Sequence, residues 1–305
     1  MWHTIHVFKM GLIMNQTLKG NIIIGILSCG LGLMHTSAHA GNVSPGSMAD
    51  WNGKEYSSSN SIQQGYDIVV RQLGMAIANK PHTVTSMGIH GFEMSLQNSV
   101  SFIDASRYAD GSPSPWNLAF SDEEAPSNLW IPTIHITKGL PLSFEIGART
   151  GMIQGDTGSI FGTYARFSPV EGYRKSPDLS IQVGYTGYIG NSELGLGTMD
   201  TSISLGKAIP FGPLTGVNSS VFRPFIAGGM YWLRADPRLQ SDDATALGIQ
   251  AVSAFQQSDN YVDGYRMMSV DGGFEIESNE VLFSMSASYS PGNILSIEHQ
   301  FGFSF

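Results

Sequence analysis

Eight charged residues alternate with apolar or small neighbours: Glu93, Glu145, Arg149, Arg166, Asp200, Asp271, Glu275 and Glu298. Their types permit three kinds of chemistry. Carboxylates and guanidinium groups gathered away from water pair with one another, because an unpaired buried charge is costly. Acids around a passage would instead favour cations. Two facing acids could divide general acid and base roles, but no spacing here favours that. Beyond residue 40 the histidines are His82, His90, His135 and His299. No two stand at metal-ligand spacing and H-E-x-x-H is absent, so no metal, cofactor or catalytic set is expected. His135 and Glu145 fall in consecutive segments, which is compatible with a proton relay. The polar-core role is the simplest of these.

The segments that carry these residues read as strands. In residues 295–305, Leu295, Ile297, Phe301, Phe303 and Phe305 share one parity, against Ser296, Glu298, Gln300, Gly302 and Ser304. A strand turns alternate side chains to opposite faces, so one face is apolar and the other polar. The same alternation predicts strands near 86–103, 129–138, 142–152, 159–169, 178–190, 196–208, 221–235, 264–277, 280–290 and 294–305. A tight turn is expected at Lys138-Gly139-Leu140-Pro141. Ahead of the strands, Ile62, Tyr66, Val69, Leu73, Ala76 and Ile77 recur at three and four, predicting an amphipathic helix over 62–79. Its apolar stripe needs a cover, either the rim or the lumen of whatever the strands enclose.

Composition agrees with strands that are apolar on one side only. The chain has 305 residues, of which 42% are hydrophobic and 13% charged. That charged share is about half the ~25% usual for soluble domains. Only residues 21–34 form a continuous apolar run, with Lys19 before it and Ala38-His39-Ala40 after it. This pattern predicts a cleaved secretory signal over 1–40. Residues 41–82 then form a flexible lead and the helix, and 83–305 the strand domain. The single cysteine, Cys29, lies in the apolar run, so cleavage would leave a cysteine-free chain without disulfides or thiolate sites. Losing Lys9 and Lys19 takes the formal charge from −9 to −11, a sign that disfavours nucleic acid.

The closing alternation and terminal Phe305 resemble the end of a bacterial outer-membrane β-barrel, with Phe301, Phe303 and Phe305 as the signal read by the barrel assembly machinery. Arg71-Gln72-Leu73-Gly74, Gly91-Phe92-Glu93 and Lys138-Gly139-Leu140-Pro141 resemble a group of small outer-membrane barrels that carries no activity to transfer. The resemblance implies an all-β, transmembrane antiparallel β-barrel in the outer membrane, of ten strands with twelve as the alternative. Its partners would be membrane lipid, lipopolysaccharide, the assembly machinery and small solutes, not nucleic acid. With both chain ends periplasmic, the long connections 104–128 and 235–263 face outward. The expected function is a small passive pore, or a structural barrel whose outer loops bind ligands. The alternatives are an outer-membrane enzyme acting on lipid or peptide, and a surface adhesin. His299 shares the parity of the apolar face, but Phe301 stands where an esterase would want a serine. Trp130, Tyr185, Tyr188, Tyr231, Trp232, Tyr265 and Tyr289 suit aromatic girdles. Residues 244–257 have helix-forming composition behind Ser241, and Trp116 and Phe120 suit a surface or a lid.

Overall fold

The computed structural model describes residues 43–48, 59–103, 105, 113–120, 125–172, 176–211, 220–239, 249–253, 266–278, 280–291 and 294–305. The expected signal, most of the lead and Tyr265 lie outside them. Ten antiparallel strands close a barrel: β1 (Phe92–Phe102), β2 (Asn128–Leu140), β3 (Phe144–Met152), β4 (Ser159–Val170), β5 (Asp178–Ile189), β6 (Leu194–Gly206), β8 (Ser220–Pro237), β10 (Arg266–Ser278), β11 (Val281–Ser290) and β12 (Ile294–Ser304). Each pairs with its neighbour along the chain, β12 returns to β1, and β10 pairs with β8. Two short strands, β7 (Ile209–Phe211) and β9 (Val252–Ser253), pair only with β8. The first lies in the connection after β6 and the second in that after β8, and neither joins the wall, which stays at ten strands. Of the stretch 244–257, expected to be helical, residues 249–253 are not helix and end in β9, and the rest lies outside the described residues.

Closure follows from the alternation. In β1 the buried positions are Glu93, Ser95, Gln97, Ser99 and Ser101, while Phe92, Met94, Leu96 and Phe102 are exposed. β12 buries Ser296, Glu298, Gln300 and Ser304 and turns Leu295 and Phe303 outward. The inner face is therefore polar and the outer face apolar. Leu96 is 58%, Ile203 55%, Ile226 65% and Val270 66% exposed, and these positions recur around the wall. The two aromatic neighbours Tyr231 and Trp232 separate by parity, with Tyr231 buried and Trp232 half-buried. Tyr231 and Tyr188 are thus corrected from girdle to interior, while Tyr185 and Tyr289 are exposed.

The β2–β3 turn sits three residues later than its sequence suggested. Leu142 and Ser143 both take positive φ, 61° and 59°. Paired positive φ values match the right-handed twist of a hairpin. For non-glycine residues they cost about 1–2 kcal/mol each, which the flanking ladder must offset. β1 also begins later than expected. Residues 83–91 are not strand: interior side chains engage the main chain at 83 and 84, and β2 is met at Gly91, whose carbonyl accepts from Gly139 N at 3.0 Å. Ser168 Oγ donates to the Val84 carbonyl at 3.0 Å and Arg166 to that of Thr83 at 3.1 Å.

Helix α1 (Ser59–Ile77) enters from the end that carries the long connections. There Gln250 N donates to Gln63 Oε1 at 2.7 Å, and buried Trp116 donates to Gln72. Trp116 belongs to α2 (Pro115–Ala119), capped by Ser114. The described part of the first long connection around α2 therefore packs over the helix at the barrel mouth. Its acids at 122–124 lie outside the described residues. Tyr66, Val69, Val70, Leu73, Met75 and Ile77 are buried, so the apolar stripe is covered inside the barrel mouth. Residues 43–48 are part of the same end rather than a flexible lead. Ser44 N donates to the Ala119 carbonyl, and Asn191 Nδ2 to that of Val43 at 2.7 Å. Since β1 starts at the opposite, short-turn end, residues 59–91 cross the lumen once. The described N-terminal residues therefore sit opposite Phe305, not beside it.

Candidate functional site

The lumen is the chemically dense part of the molecule, and its layers follow the crossing segment. At the C-terminus of α1, Arg149 donates to the Ile77 carbonyl. A cation there satisfies an orphan carbonyl and complements the helix dipole. One step on, Asn79 Nδ2 donates to Asp200 Oδ2 at 3.0 Å and to the Thr163 carbonyl at 3.2 Å. A Cβ at Gly162 or Gly184 would come within 2.9 or 2.6 Å of the Asn79 amide, so both strands need glycine where it passes. Lys80 Nζ then reaches Glu298 Oε1 at 3.1 Å, while Gln97 donates to Glu298 Oε2 at 2.9 Å.

Below this lies a group of rings and charges. His82 packs edge-on against His135 with centroids 5.0 Å apart, and Tyr164 lies 5.5 Å from His135. Glu145 is paired with Arg166 and accepts from Tyr164 at 3.2 Å. Glu93 accepts from Ser95 Oγ at 2.9 Å and from Gln300 Nε2. Ser95 and His135 are register partners, yet the Ser95 hydroxyl donates to Glu93. That bond points its proton away from the imidazole and gives no serine–histidine couple.

At the short-turn end the network opens into a cavity of about 510 Å³. Its lining includes Thr83, Glu93, Arg223, Glu275, Glu277 and Glu280. Arg223 pairs with Glu275 at 2.5 Å and Glu277 at 2.7 Å. At the long-connection end, Asp156 in the β3–β4 turn accepts from Tyr188, and burial holds its carboxyl above the ordinary range against that bond.

All eight charged residues singled out by parity are buried: Glu93, Glu145, Arg149, Arg166, Asp200, Asp271, Glu275 and Glu298. They do not form one ring. Glu145 and Arg166 pair directly, whereas Glu298 finds Lys80, Glu275 finds Arg223, and Asp271 accepts from Ser269 at 2.8 Å. Arg149 meets a carbonyl and Thr186. His135 meets His82 and Tyr164 rather than Glu145. The partners the sequence did not supply are Lys80, His82 and Arg223. The first two sit on the crossing segment, where no period marks the inward side. A basic residue at the inward parity of β8 was the available signal for Arg223. His299 is on the outer face as its parity implied, and its ring lies 3.2 Å from the Asn98 amide, its register partner. That cross-strand bond satisfies two polar groups on an apolar wall.

No family model and no curated protein matches the chain. Solved structures with some likeness include LpxR from Salmonella typhimurium, at 12% identity and TM-score 0.30, covering 68% of this chain and 99% of that one. Ail, the attachment invasion locus protein of Yersinia pestis, is 11% identical with TM-score 0.24, covering 71% and 99%. The outer membrane protein Omp33 of Acinetobacter baumannii is 8% identical with TM-score 0.25, covering 71% and 100%. Likeness at this level carries no argument about activity, and the fold rests on the closed ladder itself.

Proposed function

We propose that the chain is a bacterial outer-membrane barrel kept shut by its own N-terminal segment, a structural barrel presenting a binding surface at its long-connection end. The observation that supports it best is the filled lumen. Residues 66–84 are almost wholly buried among inward side chains, and their anchors include the buried Lys80–Glu298 ion pair, Arg166 on the Thr83 carbonyl and Arg149 at the helix terminus. A passive pore would need this segment to leave, exposing buried charges as it went. The apolar outer wall supports the membrane setting. Such a belt far exceeds the roughly 300–600 Å² apolar patch of a soluble monomer, and lipid is the solvent that suits it. Export through a signal over 1–40, contact with lipopolysaccharide and insertion by the assembly machinery through Phe301, Phe303 and Phe305 belong to the same proposal.

Planar-bilayer recording on the purified, folded barrel tests closure. The expected result is a silent bilayer across voltage and salt. Long-lived openings of uniform size by the unmodified chain would overturn it and restore the pore for small solutes. The surface presented at the long-connection end includes residues 43–48 and α2, locked together through Ser44 and Ala119. An enzyme is less well supported, because the lumen histidines, His82 and His135, are both buried and, among the described residues, the nearby Ser95 hydroxyl donates to Glu93 rather than to His135.

A further inference from the structure

We propose that the lumen holds a transition-metal site, of the kind zinc occupies, formed by His82, Glu93 and His135. The crossing segment supplies the first ligand, β1 the second and β2 the third. One ligand atom from each lies within 4.8 Å of the other two. In a tetrahedral zinc site, with metal–ligand bonds near 2.0–2.2 Å, ligand atoms sit about 3.3–3.5 Å apart. A small rotation of the side chains closes that gap.

Two further observations point to a ligand. The first is His82 Nε2, which is buried and has no hydrogen-bond partner among the described residues. Its ring bonds to the Lys80 main chain instead. A histidine whose second nitrogen donates to a carbonyl has its tautomer fixed, leaving the other nitrogen as a lone-pair donor, which is how metal-ligating imidazoles are normally held. The second is Glu93. It is buried, yet no cation pairs with it among the described residues, whereas Glu145, Glu275 and Glu298 each have one. A buried carboxylate with only hydroxyl and amide donors lacks counter-charge that a divalent ion would supply. Ser95 and Gln300, which hold its Oε1, would orient it toward the metal.

The neighbouring arginines do not forbid this. Arg166 is neutralised by Glu145, and Arg149 is turned to the Ile77 carbonyl and Thr186. A route in exists, since Glu93 and Thr83 line the cavity that opens at the short-turn end. Two imidazoles and a carboxylate form the borderline donor set that suits zinc and its neighbours better than calcium or magnesium. A water from the cavity would complete four-coordination. The site would also tie the crossing segment to the wall, independently of whether the barrel conducts.

The test uses the full folded barrel in detergent, stripped with a chelator and titrated with zinc alone. One zinc per chain is expected. His82→Asn, Glu93→Gln and His135→Asn should each weaken it by more than about 100-fold, and His90→Asn, altering an exposed histidine, should not. Heat-shifted gel migration reports whether each variant is folded. Should the lumen variants fail to fold, cobalt added to the unaltered protein decides, through its tetrahedral absorption bands. No zinc retained, no tetrahedral cobalt spectrum, or loss equal in His90→Asn would each overturn the site.

Discussion

Buried ions in this lumen are stable only as sets, and the Arg166–Glu145 pair is the sharpest case. Both side chains are essentially inaccessible, so each depends on the other for the charge that water would have screened. Removing one partner of such a pair typically costs 3–5 kcal/mol, while replacing both by apolar groups is often neutral. Arg166→Met is therefore expected to lower the urea midpoint of the folded barrel strongly. The double variant Arg166→Met with Glu145→Leu should recover most of it. A single variant as stable as the unaltered chain would show the pair to be dispensable. Alternation in the sequence placed both residues on the inner face but could not pair them. Pairing depends on which inward positions become neighbours across strands, and register is fixed only when the ladder closes.

The element that changes the molecule most is the crossing segment. Its helix was legible, because a stripe at three and four is a property of residues close in sequence. What the stripe would face was not. The lumen position comes from groups far apart in the chain: Gly162 and Gly184 leaving room for Asn79, Glu298 for Lys80, Glu171 for Ser86. The direction of crossing has a direct consequence. Cysteine placed at Ser47 should react with a membrane-impermeant maleimide on intact cells, and cysteine at Ile89 should react only after lysis. The unsubstituted chain is the control for Cys29. The reverse pattern would put the long-connection end in the periplasm. The late β2–β3 turn is a smaller case of the same limit. Proline and glycine mark turns in a sequence, whereas positive φ at Leu142 and Ser143 is imposed by the strands they join.

For the whole barrel, the seam between β1 and β12 is the step that closes the sheet. Phe305 takes part in it, since its N–H donates to the Phe92 carbonyl at 2.8 Å and Phe92 N donates back at 3.0 Å. Their rings lie 6.5 Å apart. Deleting Phe305 is expected to reduce the folded, heat-shifted species in membranes several-fold, with Phe305→Tyr close to normal. Full folding of the deletion both in cells and in detergent would remove any role for the last residue. Loss in cells with normal refolding in detergent would assign it to recognition by assembly machinery rather than to the seam.

Ten strands, their two faces, their order and the eight inward charges follow from the sequence, because a period of two is local and each segment carries its own record of which side is apolar. Neighbouring strands then pair in chain order through the turns that join them. The filling of the lumen does not follow. The contacts that hold the crossing segment, and the meeting of His82, Glu93 and His135, join residues on three separate elements. Only the closed wall, with a radius set by ten strands and their stagger, brings those elements within bonding distance.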